Sequence, residues 1–337
     1  MNWWQRFFGE QVHIECPRCL HNINLDKPKI KPNATVPCPE CHYGIPPKYA
    51  LEYRSAYPIF IQLFGWSQVG KSMFLDVLRL MLYMHPIWPE FTCDAITQLD
   101  FDHKATLLSQ RVNGDIPNAT LIRERDQNEP YIMLLNDMQR WNSRFLVMLD
   151  HAGEQFQNFS VPEGEIPFLQ HCPTTIMLYS LSEKRSGRRI EDLMSTYINS
   201  LESYGVDFRK TPRKLVVVFT KGDTVTNIPE NLTYYLNSDE TWQQLEQLQS
   251  PPHLQGAQLS DYIEVMERVS DRLNEWFQTT VPGGQAFTTM ARRYGIDVRF
   301  SLISAQGQDF NNRASAAQLS PKRVLDPFFF ALDFQSR

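Results

Sequence analysis

The residues from Gly65 to Ser72, Gly-Trp-Ser-Gln-Val-Gly-Lys-Ser, fit the pattern G-x-x-x-x-G-K-S. Glycines at both ends let a backbone curl until its N–H groups converge on phosphate oxygens, with the start of a helix behind them. Gly65, Trp66, Ser67, Gln68, Val69 and Gly70 would form that cradle, Lys71 would reach the outer phosphates, and Ser72 would ligate Mg²⁺. The chemistry asks for strand, loop and helix in that order, and the flanks supply it: an apolar run over 60–64 precedes the loop and an apolar helical run over 73–84 follows it. The bland alternative is a glycine turn ahead of a core helix.

Two further motifs decide which base such a loop would serve. An apolar strand over 144–150 ends in Asp150-His151-Ala152-Gly153-Glu154, a D-x-x-G placed where Asp150 can hold Mg²⁺ through water and the Gly153 amide can meet a γ-phosphate. A buried strand over 215–220 runs into Thr220-Lys221-Gly222-Asp223. A carboxylate at Asp223 can accept two hydrogen bonds from guanine N1 and N2, donors that adenine does not present, while the Lys221 stem packs on the ring. The last strand, 298–303, ends in Ser304-Ala305, placed to lie under the base. Each triplet is weak alone; in this order, each at a strand's carboxyl end, they form one constellation. An ATP-using machine is the weaker reading.

A second chemistry lies upstream. Cys16-Pro-Arg-Cys19 and Cys38-Pro-Glu-Cys41 are two C-x-x-C knuckles separated by eighteen residues, the spacing of a zinc ribbon. Four thiolates close a tetrahedron around Zn²⁺ and leave no open position, so the site is structural. His21 and His42 read as surface residues, and Cys93 and Cys172 as ordinary buried thiols. Lys27, Lys29 and Lys31 read as a solvated basic loop in preference to a nucleic-acid contact, because no aromatics interleave with them.

The elements that must position these groups follow from texture. Short β-rich apolar runs at 59–64, 131–136, 145–149, 175–181, 215–219 and 298–303 alternate with helical patterns, which predicts an α/β fold: a mostly parallel sheet flanked by helices, with the small ribbon at the amino terminus. Three parts are expected: an aromatic segment over 1–15, the ribbon over 16–50, and the nucleotide domain over 58–337 with insertions near 86–118 and 224–257. The insertion over 93–114 reads as a helix, 227–256 as a polar surface excursion with some helix, and 262–277 as an amphipathic helix. Trp3, Trp4, Phe7 and Phe8 form a helical stripe, read as packed on the protein body; a peripheral membrane anchor is the sharper alternative.

The chain of 337 residues carries 33 basic and 38 acidic side chains, net −5, which excludes a global polyanion-binding surface. No apolar run approaches the roughly 18 residues of a spanning helix, and no signal peptide is recognisable, so a cytoplasmic protein is expected.

Taken together, residues 58 to about 310 resemble a Ras-like G domain of the translation-factor-related (TRAFAC) class, and the ribbon extends the resemblance to a zinc-ribbon-fused bacterial group within it. The resemblance implies a GTP/GDP switch with Mg²⁺, slow or partner-dependent hydrolysis, and an unidentified protein effector or activator. It also implies a switch threonine capping Mg²⁺, for which Thr120 is the best match and Thr106 the alternative. Glu154 departs from the pattern by standing where such enzymes carry a water-orienting glutamine, as do Ser67 and Gln68 in places that Ras fills with glycine. Arg111, Arg123, Arg188 and Arg189 are candidate internal arginines, each read as a solvated surface charge. A nucleotide-dependent scaffold without turnover, and a nucleic-acid adaptor timed by the G domain, are the alternative functions.

Overall fold

The computed structural model of the protein describes residues 11–26, 30–84, 90–112, 129–150, 161, 163–181, 189–239, 241, 256–307 and 319–335. It opens with two antiparallel hairpins: β1 (Gln11–Glu15) pairs with β2 (Asn22–Asp26), and β3 (Val36–Pro37) with β4 (Gly44–Ile45). Residues 11–15, taken from the sequence as the end of the aromatic segment, are therefore a strand. Val12 and Ile14 are buried while His13 between them is exposed, the period of two that a half-buried strand requires. The aromatic stripe of Trp3, Trp4, Phe7 and Phe8 lies outside the described residues.

Each hairpin carries a cysteine knuckle built to the same plan. Leu20 N donates to Cys16 O at 2.9 Å, and His42 N donates to Cys38 O at 3.0 Å. Leu20 and His42 occupy matching places and both adopt left-handed backbone, with φ of 55° and 57°. The short α1 (Pro47–Glu52) follows, started by a proline whose missing N–H costs a helix nothing at that position.

The main body is built from β5 (Ile59–Phe64), α2 (Lys71–Met84), β6 (Thr92–Ala95), α3 (Gln98–Val112), β7 (Tyr131–Asn136), β8 (Arg144–Asp150), α4 (Ile166–His171), β9 (Thr174–Ser180), α5 (Ile190–Ser203), β10 (Lys214–Thr220), α6 (Glu230–Asn237), α7 (Gly256–Thr280), α8 (Gly284–Arg293), β11 (Asp297–Leu302) and α9 (Asp326–Gln335). Its seven strands lie in the order β11-β10-β9-β5-β8-β7-β6. The five from β11 to β8 are parallel, β7 is antiparallel to β8, and the edge strand β6 is antiparallel to β7 and so runs with the five. The fold is α/β, a mostly parallel sheet flanked by helices, with a four-cysteine cluster at its amino-terminal end.

Unbroken apolar strands imply cover on both faces, and side-chain alternation shows what covers each. Ile59, Ile61 and Leu63 of β5, Met133 and Leu135 of β7, and Leu146 and Met148 of β8 enter the core that contains α2 and α9. Phe60, Ile132, Leu134, Phe145, Val147 and Leu149, the intervening residues, enter a second core with Val12, Ile14, Cys16, Ile23, Ile45 and Tyr49. The cysteine module is thus the layer that covers one face of the β5-β8-β7 half of the sheet. Tyr49 and Tyr53 of the linking segment fasten it, donating to the Glu15 carbonyl and the Glu15 carboxylate, each at 2.9 Å.

One expectation changes. The stretch over 93–114 is not helix from its start: β6 takes residues 92–95, where Cys93 and Ala95 are buried and Thr92 is exposed, and α3 begins only at Gln98. At the carboxyl-terminal end α9 is a core helix: Phe328, Phe329, Phe330, Leu332 and Phe334 are all buried, and so are Asp326 and Asp333.

Candidate functional site

The strands after β5 divide between its two sides. β8, β7 and β6 lie to one side and β9, β10 and β11 to the other, so the strand order reverses at β5/β9, where open α/β sheets leave a crevice at their carboxyl ends. The loop from Gly65 to Ser72 leaves β5 at that point.

Its two glycines meet different demands. A Cβ on Gly65 (φ +154°) would stand 2.7 Å from the Leu178 carbonyl oxygen of the neighbouring strand, a backbone atom that cannot yield. At Gly70 (φ +94°) a Cβ would meet nothing within 4 Å, so conformation alone selects glycine there, beside open space. Gln68 is also left-handed, at φ 68°. Lys71 Nζ donates to the carbonyls of Gly65 at 2.8 Å and Trp66 at 3.0 Å, strapping the loop into an arch. Val69 is buried beneath it, and Trp66, also buried, lies 6.3 Å ring to ring from Tyr179. Ser72 is the second residue of α2.

The segment after β10 is fastened to this arch. Thr220 Oγ1 donates to Val69 O at 2.8 Å, and Lys221 Nζ reaches Gln68 O at 3.3 Å. Lys221 is left-handed (φ 57°) and starts a single 3-10 turn over Gly222–Thr224, with Asp223 half-buried on it. The Gly222 N–H donates to Ile303 O at 3.0 Å, joining this turn to the end of β11. Ser304 is buried there, its hydroxyl accepting from the Gly307 N–H at 3.0 Å, and Ala305 follows it. Asp150 ends β8 opposite Leu63, one strand from the arch. The structure thus brings together Gly65 to Ser72, Asp150, Thr220 to Asp223, and Ser304 with Ala305.

Thr120, Gly153 and Glu154 lie outside the described residues, as do Arg123 and Arg188. Thr106, the alternative switch threonine, sits within α3 with its hydroxyl donating to Asp102 O at 2.9 Å, a helix-internal role. The backbone of Arg111 is likewise in α3. Arg189 precedes α5 with its side chain 59% exposed and paired to Glu191 at 2.7 Å, in keeping with a solvated surface charge.

The four cysteines form the second candidate site. Their sulfurs all lie within 4.8 Å of one another, with Cys16 Sγ 3.6 Å from Cys41 Sγ and Cys19 Sγ 3.7 Å from Cys38 Sγ. A disulfide needs about 2.05 Å, whereas a tetrahedron of sulfurs at about 2.3 Å from a central zinc has edges of about 3.8 Å. The donor set and its spacing fit a metal ion. Within the cluster the hydrogen bond between Cys16 and Cys19 holds the Cys19 thiol down and the Cys16 thiol up, and burial raises Cys41, so it is the spacing of the four sulfurs that carries the metal reading. His21 is exposed and 3.6 Å from Glu40, and His42 serves the knuckle through its left-handed backbone. Burial pushes the Cys172 thiol up to about 12 and raises Cys93 as well, which leaves both as unreactive core thiols.

No protein-family model matches the chain, and no curated protein matches it either. Several solved structures are similar in part. One is the signal recognition particle receptor SRb-GTP/SRX complex from Chaetomium thermophilum, at 13% identity over 76% of this chain and 94% of that one, TM-score 0.33. Another is the S. cerevisiae Ski7 GTPase-like domain bound to GDP and inorganic phosphate, at 11% identity over 85% of this chain, TM-score 0.38. A third is sup35 complexed with GDP, at 10% identity over 74% of this chain, TM-score 0.27. The protein spans 52% of the Ski7 chain and 38% of the sup35 chain.

Sequence reasoning missed three buried cations. Arg79 is fully buried between α2 and α3, with Nη2 3.4 Å from Asp100 and its guanidinium 4.1 Å above the Tyr131 ring. Arg213 is buried with its guanidinium donating to the carbonyls of Cys172 and Gln170. Arg323 is buried beside Asp326. Nothing in a single sequence separates such a cation from a solvated one, because the partner is distant along the chain.

Proposed function

We propose that the protein binds a guanine nucleotide with Mg²⁺ at the arch of Gly65 to Ser72 and hydrolyses GTP slowly, as a cytoplasmic molecular switch with a structural zinc ribbon that docks a protein partner. The observation that supports this most is the pair of hydrogen bonds from Thr220 and Lys221 to the carbonyls of Val69 and Gln68. They seat the turn bearing Asp223 beside the arch, so one ligand could lie on both.

In this reading the backbone N–H groups of 66–71 and Lys71 hold the β- and γ-phosphates, and Ser72, Asp150 and Thr120 hold the metal. Mg²⁺, when bound, neutralises charge developing between the β- and γ-oxygens. Asp223 accepts from the guanine N1 and N2 donors, Lys221 covers the ring, and Ser304 with Ala305 closes the base from below. By their place in the sequence motif, the Gly153 amide would meet the γ-phosphate and Glu154 would take the place of the water-orienting glutamine. A carboxylate there can take the attacking water's proton or repel the phosphate, so a non-hydrolysing nucleotide-dependent scaffold is the reading to set against it.

Cys16, Cys19, Cys38 and Cys41 hold Zn²⁺ with no vacant coordination position, and the metal's part is to fold the module. A module of this size needs such a staple. Among the described residues no helix is long and apolar enough to cross a membrane.

Single-turnover phosphate release from GTP and from ATP, with wild type beside Lys71→Ala and Glu154→Ala, tests the proposal. GTP cleavage that Lys71→Ala abolishes and ATP does not match supports it. Release no faster than the Lys71→Ala control leaves the scaffold.

A further inference from the structure

The charged cluster around Arg323 lies behind the base-reading loops and has no part in the chemistry described so far. Arg323 follows Lys322, whose backbone pairs with Ser304 in both directions: Ser304 N donates to Lys322 O at 3.1 Å, and Lys322 N to Ser304 O at 2.7 Å. Arg323 is itself left-handed, at φ 56°, and its N–H donates to Asp239 Oδ2 at 2.5 Å. Its side chain then turns to α6. Nε donates to Tyr235 O at 3.0 Å, Nη2 to Ser238 Oγ at 2.9 Å, and the guanidinium lies 3.9 Å above the Tyr235 ring. Nη1 reaches Tyr262 OH of α7 at 3.4 Å. Tyr235 and Tyr262 in turn donate to the buried Asp326 carboxylate, at 2.6 Å and 2.5 Å.

What α6 does explains why this grip reaches the site. A Cβ placed on Gly222 would stand 3.1 Å from Leu236 Cδ2 of α6 and 2.7 Å from Leu302 Cδ1 of β11, so the turn carrying Asp223 rests directly on these two side chains. Arg323 therefore holds the floor under Asp223 with its side chain, and its backbone continues the segment that holds Ser304. Lys322 adds to the same link, its Nζ donating to Asp239 O at 3.1 Å.

We propose that Arg323 is a positioning residue for base selection: it sets the turn bearing Asp223 against the Ser304-Ala305 loop, so that one planar base fits between the two. The proposal rests on the guanine reading given above and deepens it. Recognition by paired hydrogen bonds tolerates about 0.5 Å of misplacement. Arginine suits the task because its planar fork serves several fixed acceptors at once and stacks on an aromatic ring, which a lysine cannot reproduce. The phosphate arch is braced by its own contacts, the Lys71 strap and the buried Val69, so a fault behind the base loops should spare phosphate binding.

The test compares wild type, Arg323→Lys and Arg323→Met for affinity toward GDP, ADP and inorganic tripolyphosphate, all with Mg²⁺, alongside melting temperature and zinc content. The expected result for Arg323→Met is a GDP-to-ADP preference reduced at least about tenfold with tripolyphosphate affinity within about twofold of wild type, Arg323→Lys falling between. If all three ligands weaken in proportion to lost stability, Arg323 is a staple of the fold and the proposal is overturned. An unchanged preference overturns it equally. Should Arg323→Met fail to fold, Ser238→Ala and Tyr262→Phe each remove one partner of the guanidinium. Each should lower the preference by about threefold without changing tripolyphosphate binding, and no change in either sinks the idea. A wild type without guanine preference, indistinguishable from Asp223→Asn, removes the guanine reading and the proposal with it; a selective wild type with unaffected Arg323 variants removes the proposal alone.

Discussion

Replacing Thr220 with valine keeps the shape of the side chain and deletes one hydroxyl. That hydroxyl is buried with its residue, which is 3% exposed, and donates to Val69 O at 2.8 Å, with Tyr179 O at 3.4 Å nearby. Valine leaves the Val69 carbonyl without this donor in an interior that excludes water. An abandoned buried acceptor costs about 1–3 kcal/mol, compared with about 1 kcal/mol for the net value of an ordinary hydrogen bond. For 337 residues unfolding as one unit, an entropy near 2.1 cal/mol/K per residue gives about 0.7 kcal/mol/K, so a loss of about 2 kcal/mol lowers Tm by about 3 °C. The same bond aligns the turn of Asp223 with the arch, so GDP affinity should fall roughly tenfold, equivalent to about 1.4 kcal/mol. Differential scanning calorimetry and fluorescence titration read the two effects. Thr220→Ser, which keeps the hydroxyl, is the control and should stay within about threefold in affinity. If Thr220→Val binds and melts as wild type does, the two loops are not held together by this bond, and the physical basis of the shared site is wrong.

Removing the metal with a strong chelator, or changing Cys16 and Cys19 to serine, should take zinc from about one per chain to none and uncover the sheet face of Phe60, Ile132, Phe145 and Val147, seen as increased binding of an apolar dye. Retained zinc in the double variant would contradict the ligand set. Burial raises the Asp326 carboxyl from 3.8 to about 6 against the opposing pull of Arg323 and two tyrosine hydroxyls. The folded state thus holds this proton more tightly than the unfolded one, and the contribution is fully present below about pH 4 and lost as pH rises through about 6. Wild type should therefore gain stability relative to Asp326→Asn, by at most a few kcal/mol, as pH falls from about 7 to about 5; parallel melting profiles would refute this. Arg79→Met strands the buried Asp100, which keeps neutral donors in place of the guanidinium, among them Thr97 Oγ1 at 2.7 Å and the Ile132 N–H at 3.2 Å. Breaking such a pair from one side should cost roughly 3–5 kcal/mol, and Arg79→Met with Asp100→Asn should recover part of it; a lone Arg79→Met without measurable loss would show that the pair is already solvated.

The sheet was legible wherever a strand is buried on both faces. The apolar run at 59–64 is β5 to the residue, and 131–136 is β7, because continuous branched and aromatic residues mark a covered strand. Strand β6 escaped because it is four residues long and alternates a buried with a more exposed side chain, so its cysteine and alanine read as part of the helix that follows. The ribbon's strands were hidden for a related reason: two-residue pairings such as Val36–Pro37 have no periodicity of their own and exist because the cysteine knuckles hold them. At the candidate site, the arch and the Asp223 turn could be read because each is a contiguous motif with a local backbone demand, as at Gly65 and Gly70. The bonds that join them, Thr220 to Val69 and Lys221 to Gln68, span about 150 residues of sequence and became visible only with the fold. Arg323 was invisible for the same reason, since its acceptors on α6 lie far up the chain.

In the proposed reading one site selects guanine through Asp223. The most direct measurement is equilibrium competition of GTP, GDP, ATP and ADP against a labelled guanine nucleotide in Mg²⁺, for wild type and Asp223→Asn. Two charge-assisted hydrogen bonds at about 1.5–3 kcal/mol each predict a guanine preference of at least about a hundredfold in wild type, lost in the variant. Equal competition by ATP, or a preference that survives Asp223→Asn, would contradict the account and return the arch to an ATP-using protein.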